Sequence, residues 1–428
     1  MIRGVILFVL FAVMCSATFA QERGSAAWIL KERMVRACLL GDVAGVKEYL
    51  RRGVSPNARD EFGQPLIMLA VRPSVYGGNA EAVAIAKALL DAGADINASN
   101  DFGSGAFFMT PKSNVQMQDD PRELLIKRGV DQARKDKFGM TAEEYGDDQG
   151  ERKMGEEDRI WRLLFEGGVR TDDYFPKVKR YSNGATFLMG AAYYAEYYQK
   201  PTMFRPDASV DNFGETYLFY LAGRTKFFAT ELSDIDPKIA DIKNKRGETA
   251  LIRGAKFGDD FFVIKMLAAR ADPEIRDAAG FSALDHAVMA ESTMTTLNLL
   301  MKTDPSRIAA DGKTPLLRAV QLDSIKAVAA FAQAKLALEQ LEIEIKKGNA
   351  SASDKKLAEA FRRINVDQAD ASGRTPLMYA AEKGNTEMVK LLLLLSPNRM
   401  LADKKKMTAI DIARNSRHFD VVKILETS

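Results

Sequence analysis

Three observations predict that this sequence folds as an all-α solenoid of stacked helix–turn–helix units. A hydroxyl slot that opens an apolar helix recurs at Thr216, Thr249, Ser282, Thr314, Thr375 and Thr408, at steps of 33, 33, 32, 61 and 33 residues. The clearest copy, Ser372 to Leu394 (SGRTPLMYAAEKGNTEMVKLLLL), holds two short helical patterns separated by Gly384. One helix pair of this size cannot bury its own apolar face, so copies must stack beside it.

Each part of that copy has a local reason. Thr375-Pro376-Leu377 opens the first helix, with Pro376 at an early position where its missing N–H costs nothing. Ala380-Ala381 are small enough for a neighbouring helix to pack closely. Gly384 breaks the helix, and Asn385 and Thr386 are good starters for the next. Met388-Val389 and Leu391-Leu392 supply its apolar stripe. These residues resemble the ankyrin repeat, whose pattern is G-x-T-P-L-x-x-A-A-x-x-G…V-x-x-L-L-x-x-G. The resemblance implies helical pairs joined by short β-hairpin fingers, with a protein partner lying across a concave face.

The chain begins MIRGVILFVLFAVMCSATFA. Arg3 is a charged n-region, Val5 to Met14 an apolar core, and Thr18-Phe19-Ala20 a small-x-small cleavage site. Residues 1–20 therefore read as a signal peptide cleaved after Ala20, which predicts a periplasmic or secreted protein of bacterial type with no stable membrane insertion afterwards. A lipoprotein reading of Cys15 fails because Met14 is large where a small residue is needed. Cleavage leaves Cys38 as a lone thiol, expected as a small buried core residue beside Ala37.

Residues 21–99 read as N-terminal repeats, closing with ALLDAGADINA (Ala88 to Ala98). Residues 100–243 read as degenerate repeats with inserted loops, because the turn glycines Gly103, Gly139, Gly184 and Gly214 step irregularly by 36, 45 and 30. Residues 244–428 return to the clear pattern. The 61-residue step from Thr314 to Thr375 holds about 28 residues too many, which predicts a helical insertion at about 331–365. There Leu338, Leu341 and Ile345 share one helical face, Leu357, Phe361 and Ile364 another, and Gly348 to Ser353 forms a turn between them. Polar Arg414, Asn415, Arg417 and Lys423 suit a final repeat that faces water.

Net charge is +3, with Lys and Arg mixed among Asp and Glu, so neither a nucleic-acid partner nor a membrane-surface field is expected. The sequence has two histidines, His286 and His418, and no HxxxH, HExxH, CxxC or G-x-S-x-G. Asp311-Gly312-Lys313-Thr314 resembles the end of a phosphate loop, but Arg307 stands where its first Gly belongs. Asp119-Asp120, Glu143-Glu144 and Asp147-Asp148 read as solvated charge on polar stretches. No catalytic, cofactor-binding or metal-ligating residue is assigned, and the expectation is a non-enzyme without cofactor.

Two aromatic features suit a partner surface. Phe62, Phe102, Phe138 and Phe213 each precede a finger glycine, either as exposed anchors or packed on the next finger. Tyr193, Tyr194, Tyr197 and Tyr198 (AAYYAEYYQK) cannot all share one helix face, which leaves contact surface for a partner. The predicted function is an exported, monomeric protein that binds another protein as scaffold, stabiliser or inhibitor. A self-assembling envelope component and an enzyme with its site in the degenerate repeats are the alternatives.

Overall fold

The computed structural model describes residues 25–71, 79–100, 103–110, 119–136, 139, 141–143, 189, 208–223, 235 and 237–427. The chain divides into two compact units, whose described residues run from 25 to 143 and, Met189 included, from 208 to 427.

The first unit opens with α1 (Ala26–Leu40), capped by Ser25 Oγ, which accepts from Trp28 N at 3.1 Å. It ends at Gly41 in the left-handed region (φ 76). α2 (Val43–Arg51) starts at once because Asp42 caps it. α3 (Leu66–Ala70) is wholly buried and packs with α4 (Asn79–Asp91). A 3-10 turn (Ala106–Met109) and α5 (Pro121–Lys127) follow. Asp120, expected as solvated charge, is the N-cap of α5: its carboxylate accepts from Arg122 N at 2.8 Å, and Pro121 fills the first helical position. Cys38 is buried, and burial pushes its thiol up to about 12.

The second unit begins with α6 (Tyr217–Leu221) and a single turn, α7 (Pro237–Ala240). Five helix pairs follow. Their first members are α8 (Ala250–Phe257), α10 (Ala283–Met289), α12 (Pro315–Gln321), α15 (Pro376–Lys383) and α17 (Ala409–Asn415). Their second members are α9 (Asp260–Ala268), α11 (Thr293–Leu300), α13 (Ile325–Lys346), α16 (Thr386–Leu393) and α18 (Phe419–Thr427). First helices stack on first helices and second on second, giving two layers. The hydroxyl slot is the N-cap of all five pairs: Thr249, Ser282, Thr314, Thr375 and Thr408 each accept from the backbone N–H three residues on, whereas Thr216 precedes α6 without a side-chain cap bond. Leu251, Leu284, Leu316 and Leu377, two residues past the cap, are buried between layers, as are Phe262-Val263, Ala327-Val328, Met388-Val389 and Val421-Val422 on the second helices.

Between pairs lies the finger. The expected β-hairpins shrink to isolated antiparallel bridges, Arg276↔Ser282 and Ala402↔Thr408 in this unit, Arg59↔Pro65, Ser99↔Gly105 and Lys135↔Thr141 in the first. The loop is too short for more, and a side chain closes it instead. Five residues before the cap, an Asp or Asn accepts from the backbone N–H groups two and four residues on. Asp211 takes Phe213 and Glu215, Asn244 takes Arg246 and Glu248, Asp277 takes Ala279 and Phe281, Asp370 takes Ser372 and Arg374, and Asp403 takes Lys405 and Met407, all at 2.8–3.0 Å. Asp60 makes the same clamp on Phe62 and Gln64. Adjacent fingers are then joined directly: Lys245 N donates to Phe213 O at 2.9 Å, Ala278 N to Arg246 O at 2.8 Å and Lys404 N to Ser372 O at 3.1 Å.

The turn demands a left-handed residue three places after the clamp. Gly247 (φ 72) and Gly373 (φ 80) meet it without strain, but in the last finger Lys406 stands there at φ 62. Lys406→Gly should raise stability by about 1 kcal/mol in denaturant unfolding; a lower midpoint would show that the Lys406 side chain contributes more than its backbone strain costs.

α13 is 22 residues long where the other second helices of the five pairs have eight or nine. Its buried residues end at Leu338, and α14 (Ala352–Arg362) folds back on it with Ala358 and Phe361 buried. Arg362 Nε to Glu342 Oε1 (3.1 Å) stitches the two helices. The stack passes beneath this hairpin without interruption: Lys383 Nζ donates to Gln321 O at 2.7 Å and Asn385 Nδ2 to Asp323 Oδ1 at 2.9 Å, across 62 residues of chain. Deleting 335–362 restores the 33-residue step from Thr314 to Thr375. The shortened protein is expected to keep one cooperative thermal transition by circular dichroism; its failure to fold would make the hairpin part of the stack.

Candidate protein-binding face

Three of the clamps, Asp211, Asp277 and Asp370, also orient a side chain of the helix they precede. Four residues past the cap stand Tyr220, Arg253, His286, Arg318 and Tyr379, a polar column in an otherwise apolar layer. Tyr220 Oη donates to Asp211 Oδ2 at 2.7 Å, and Tyr379 Oη to Asp370 Oδ2 at 2.6 Å. His286 Nε2 lies 2.7 Å from Asp277 Oδ2. The clamp's second carboxylate oxygen is therefore spent on the helix behind it.

Arg253, 1% exposed, is the deepest member. It reaches back to Glu215 Oε1 (2.5 Å) and within its own repeat to Glu248 Oε2 (3.1 Å), with its guanidinium 5.3 Å from the Phe219 ring centre. Glu248 also binds Lys256 and Arg246. Burial pushes the Glu248 carboxyl up, but Arg253, Lys256 and Arg246 together hold it well below the usual carboxylate range. Arg318 repeats the arrangement with Asp285 of the preceding repeat and Asp311 (2.7 Å), stacked on Phe281 at 4.8 Å. Its finger is the exception, with Ala309 at the clamp position; Asp311 instead accepts from Lys313 N and Arg318.

Outside this column lie the finger tips. Phe213 is 41% exposed and its neighbour Val210 36%, while Lys243, Lys245, Lys404, Lys405 and Lys406 are exposed. Of the aromatic candidates, Phe62 is buried at 9% exposure and packs inward; its backbone N–H serves the Asp60 clamp. Phe102, Phe138, Tyr193, Tyr194, Tyr197 and Tyr198 fall outside the described residues. The exposed lysines at the tips were not singled out from the sequence. The signal that could have found them is the D-x-x-G spacing, which marks which finger residues point inward. The two histidines hold structure: His286 as above, and His418 Nε2 lies 2.9 Å from Glu382 O of the preceding repeat. Among the described residues no group of three or more His, Cys, Asp or Glu could hold a metal ion.

His286 is a pH-sensitive part of the column. Burial lowers its pKa, an effect the Asp277 hydrogen bond opposes and nearby Lys256 reinforces. Asp277 is held below the usual carboxylate range because the hydrogen bonds from His286 and Phe281 outweigh its own burial. The unfolded chain therefore protonates His286 first, so its contribution to stability is complete above about pH 6.5 and is lost as pH falls through the lower folded value. The thermal midpoint should drop between about pH 7.5 and pH 5.5, and His286→Gln, which keeps a donor to Asp277 but does not titrate, should flatten that drop. An unchanged slope would assign the dependence to other groups.

Comparison with known proteins places this geometry. Residues 345–427 match the family described as ankyrin repeats, in three copies. XBAT34 of Arabidopsis thaliana, named as a candidate E3 ubiquitin-protein ligase, is 34% identical over 73 residues, 17% of this chain and 19% of that protein. Neurogenic locus notch homolog protein 1 of Xenopus laevis is 27% identical over 191 residues, 43% of this chain and 6% of that protein. The chain thus spans less than a fifth of the length of these curated relatives. Among solved structures, the ankyrin repeat domain of Bcl-3, a member of the IkappaB protein family, aligns over 56% of this chain and all of its own, with TM-score 0.40 and 19% identity. The family match and the capped, clamped helix pairs agree: residues 345–427 carry ankyrin repeats, and the fold is of the all-α ankyrin-repeat class.

Proposed function

We propose that this chain is an exported protein that binds another protein through its fingers and the concave face of its repeats, acting as scaffold, stabiliser or inhibitor of that partner. Ankyrin repeats generally mediate protein–protein interaction. The observation that carries the reading for this chain is the finger row of the second unit. Backbone hydrogen bonds tie the first three of its tips into one group and the last two into another, and these two groups present Phe213 and five lysines to solvent. A pre-ordered edge of this kind loses little entropy when a partner seats on it.

Export to the periplasm or beyond, in a bacterium, rests on the first twenty residues, with their charged start, apolar core and Thr18-Phe19-Ala20. Among the described residues no helix is long and apolar enough to cross a membrane. The partner surface is proposed to include Tyr193, Tyr194, Tyr197 and Tyr198, whose side chains combine large contact area with little rotamer entropy.

The test is affinity capture from native envelope extract with tagged 21–428, alongside Tyr194→Ala/Tyr198→Ala. One stoichiometric partner is expected, retained at least tenfold less by the double variant (about 1.4 kcal/mol), with the thermal midpoint of the variant unchanged. A variant that unfolds would make the tyrosines core. An empty capture together with concentration-dependent oligomers would overturn the reading in favour of self-assembly.

A further inference from the structure

We infer that the finger edge of the second unit recognises an acidic segment of its protein partner. This rests on the protein-binding reading above and specifies the chemistry of that partner.

The argument is the direction in which charge points. The clamp carboxylates are turned inward. Asp211, Asp277 and Asp370 each divide their oxygens between the amides of their own turn and a side chain of the following helix. Asp403 is held by Lys405 N and Met407 N, and Glu248 is buried among Arg253, Lys256 and Arg246; Asp311 is exposed but paired with Arg318. The cations face the other way. Lys243, Lys245, Lys404, Lys405 and Lys406 are exposed, and no carboxylate lies within ion-pair distance of them among the described residues.

The clamp favours this asymmetry, since it turns a carboxylate or amide inward while neighbouring finger residues such as Lys243, Lys245, Lys404 and Lys405 reach solvent. The outer surface of the second helices shows no such bias. Exposed Glu387 shares α16 with Lys390, and Asp420 and Glu426 share α18 with Lys423. A chain of net charge +3 therefore carries a local cationic edge.

Two features favour an acidic protein segment over a nucleic acid. The sequence pI of about 8.6 is below that of most nucleic-acid-binding domains, and the cations form two groups separated by fingers with few exposed charges. The first group also carries an apolar contact. Phe213 O accepts from Lys245 N at 2.9 Å, which sets the exposed Phe213 finger against that of Lys243 and Lys245. An apolar side chain flanked by carboxylates fits this pairing.

The test uses full 21–428 and a fluorescein-labelled glutamate-rich peptide with one central phenylalanine, followed by fluorescence anisotropy. Lys243→Ala/Lys245→Ala and Lys404→Ala/Lys405→Ala, combined, should weaken binding by about tenfold, with the difference shrinking at high salt. Lys390→Ala/Lys423→Ala, on the second helices, should leave it unchanged. Equal loss in that control would overturn the proposal, because attraction would then be a property of the whole surface. Tighter binding of single-stranded DNA or of phosphatidylglycerol vesicles than of the peptide would overturn it too. Capture of a partner that the fingertip variants do not disturb would sink this inference alone and leave the protein-binding reading standing.

Discussion

The structure depends on one local constraint, the side-chain clamp that closes each finger. A turn this short cannot satisfy its amides by pairing with a neighbouring strand, and a buried unpaired N–H costs about 1–3 kcal/mol. One Asp or Asn oxygen accepting from two amides removes that cost for both, as at Asp60, where both amides are buried. The clamp also fixes where the chain enters the next helix, so that the hydroxyl five residues later arrives as the N-cap. Register between repeats follows. With the finger set, backbone carbonyls such as Ser372 O meet the amide of the next finger, and loop side chains behind them form a second ladder. In that ladder Asp241 accepts from Asp272 N, Glu274 from Asp304 N and Asp367 from Asn398 N.

The polar column shows what the clamp costs. The inward carboxylates of Asp211, Asp277 and Asp370 would be uncompensated charges in an apolar layer, and each of these is answered by a donor from the helix behind, as is Asp311 in the finger without a clamp. Tyr answers at two repeats, His at one and Arg at one more, so the requirement is for a donor rather than for a particular residue. Asn244 carries no charge, and there Arg253 turns to Glu215 and Glu248 instead. Buried ion pairs of this kind gain little net stability against apolar residues of equal volume. Their geometry does discriminate, because Arg253 and Arg318 each bind a carboxylate of the preceding repeat as well as one of their own. A slip of one repeat against the next would strand those charges.

Much of this was legible in the sequence, for a definable reason. Helix starts and stops are local events, so Thr375-Pro376, Gly384 and Asn385 could be read directly as cap, break and cap. Packing direction is not local. Phe62 and Phe213 occupy the same place before a finger glycine, yet one is buried and the other exposed. Burial is set by what packs around each turn, which periodicity does not describe. Asp120 was misread as solvated because a charged residue looks alike on a polar loop and at a helix start until the helix is seen. The clamp itself was visible as Asp or Asn three residues before the turn glycine. The aromatic residue between them drew attention away from it.

The inserted hairpin adds a final step to the argument about faces. The helices of a pair run antiparallel, since only Leu322 to Ser324 separate α12 from α13. A second helix therefore returns toward the end of the pair from which the finger projects. The additional turns of α13, about 20 Å at 1.5 Å per residue, carry the hairpin past the connecting loops at that same end. Leu336 and Ile343, 49% and 43% exposed and seven residues apart, lie on one side of it. The cationic edge and the exposed apolar stripe of the hairpin thus come from separate layers but extend from one end of the stack. Length added at the opposite end, between the first and second helices, would have lain away from the fingers. Placing the insertion after the second helix enlarges the surface beside the fingers while leaving the stack beneath, held by Lys383 and Asn385, in register.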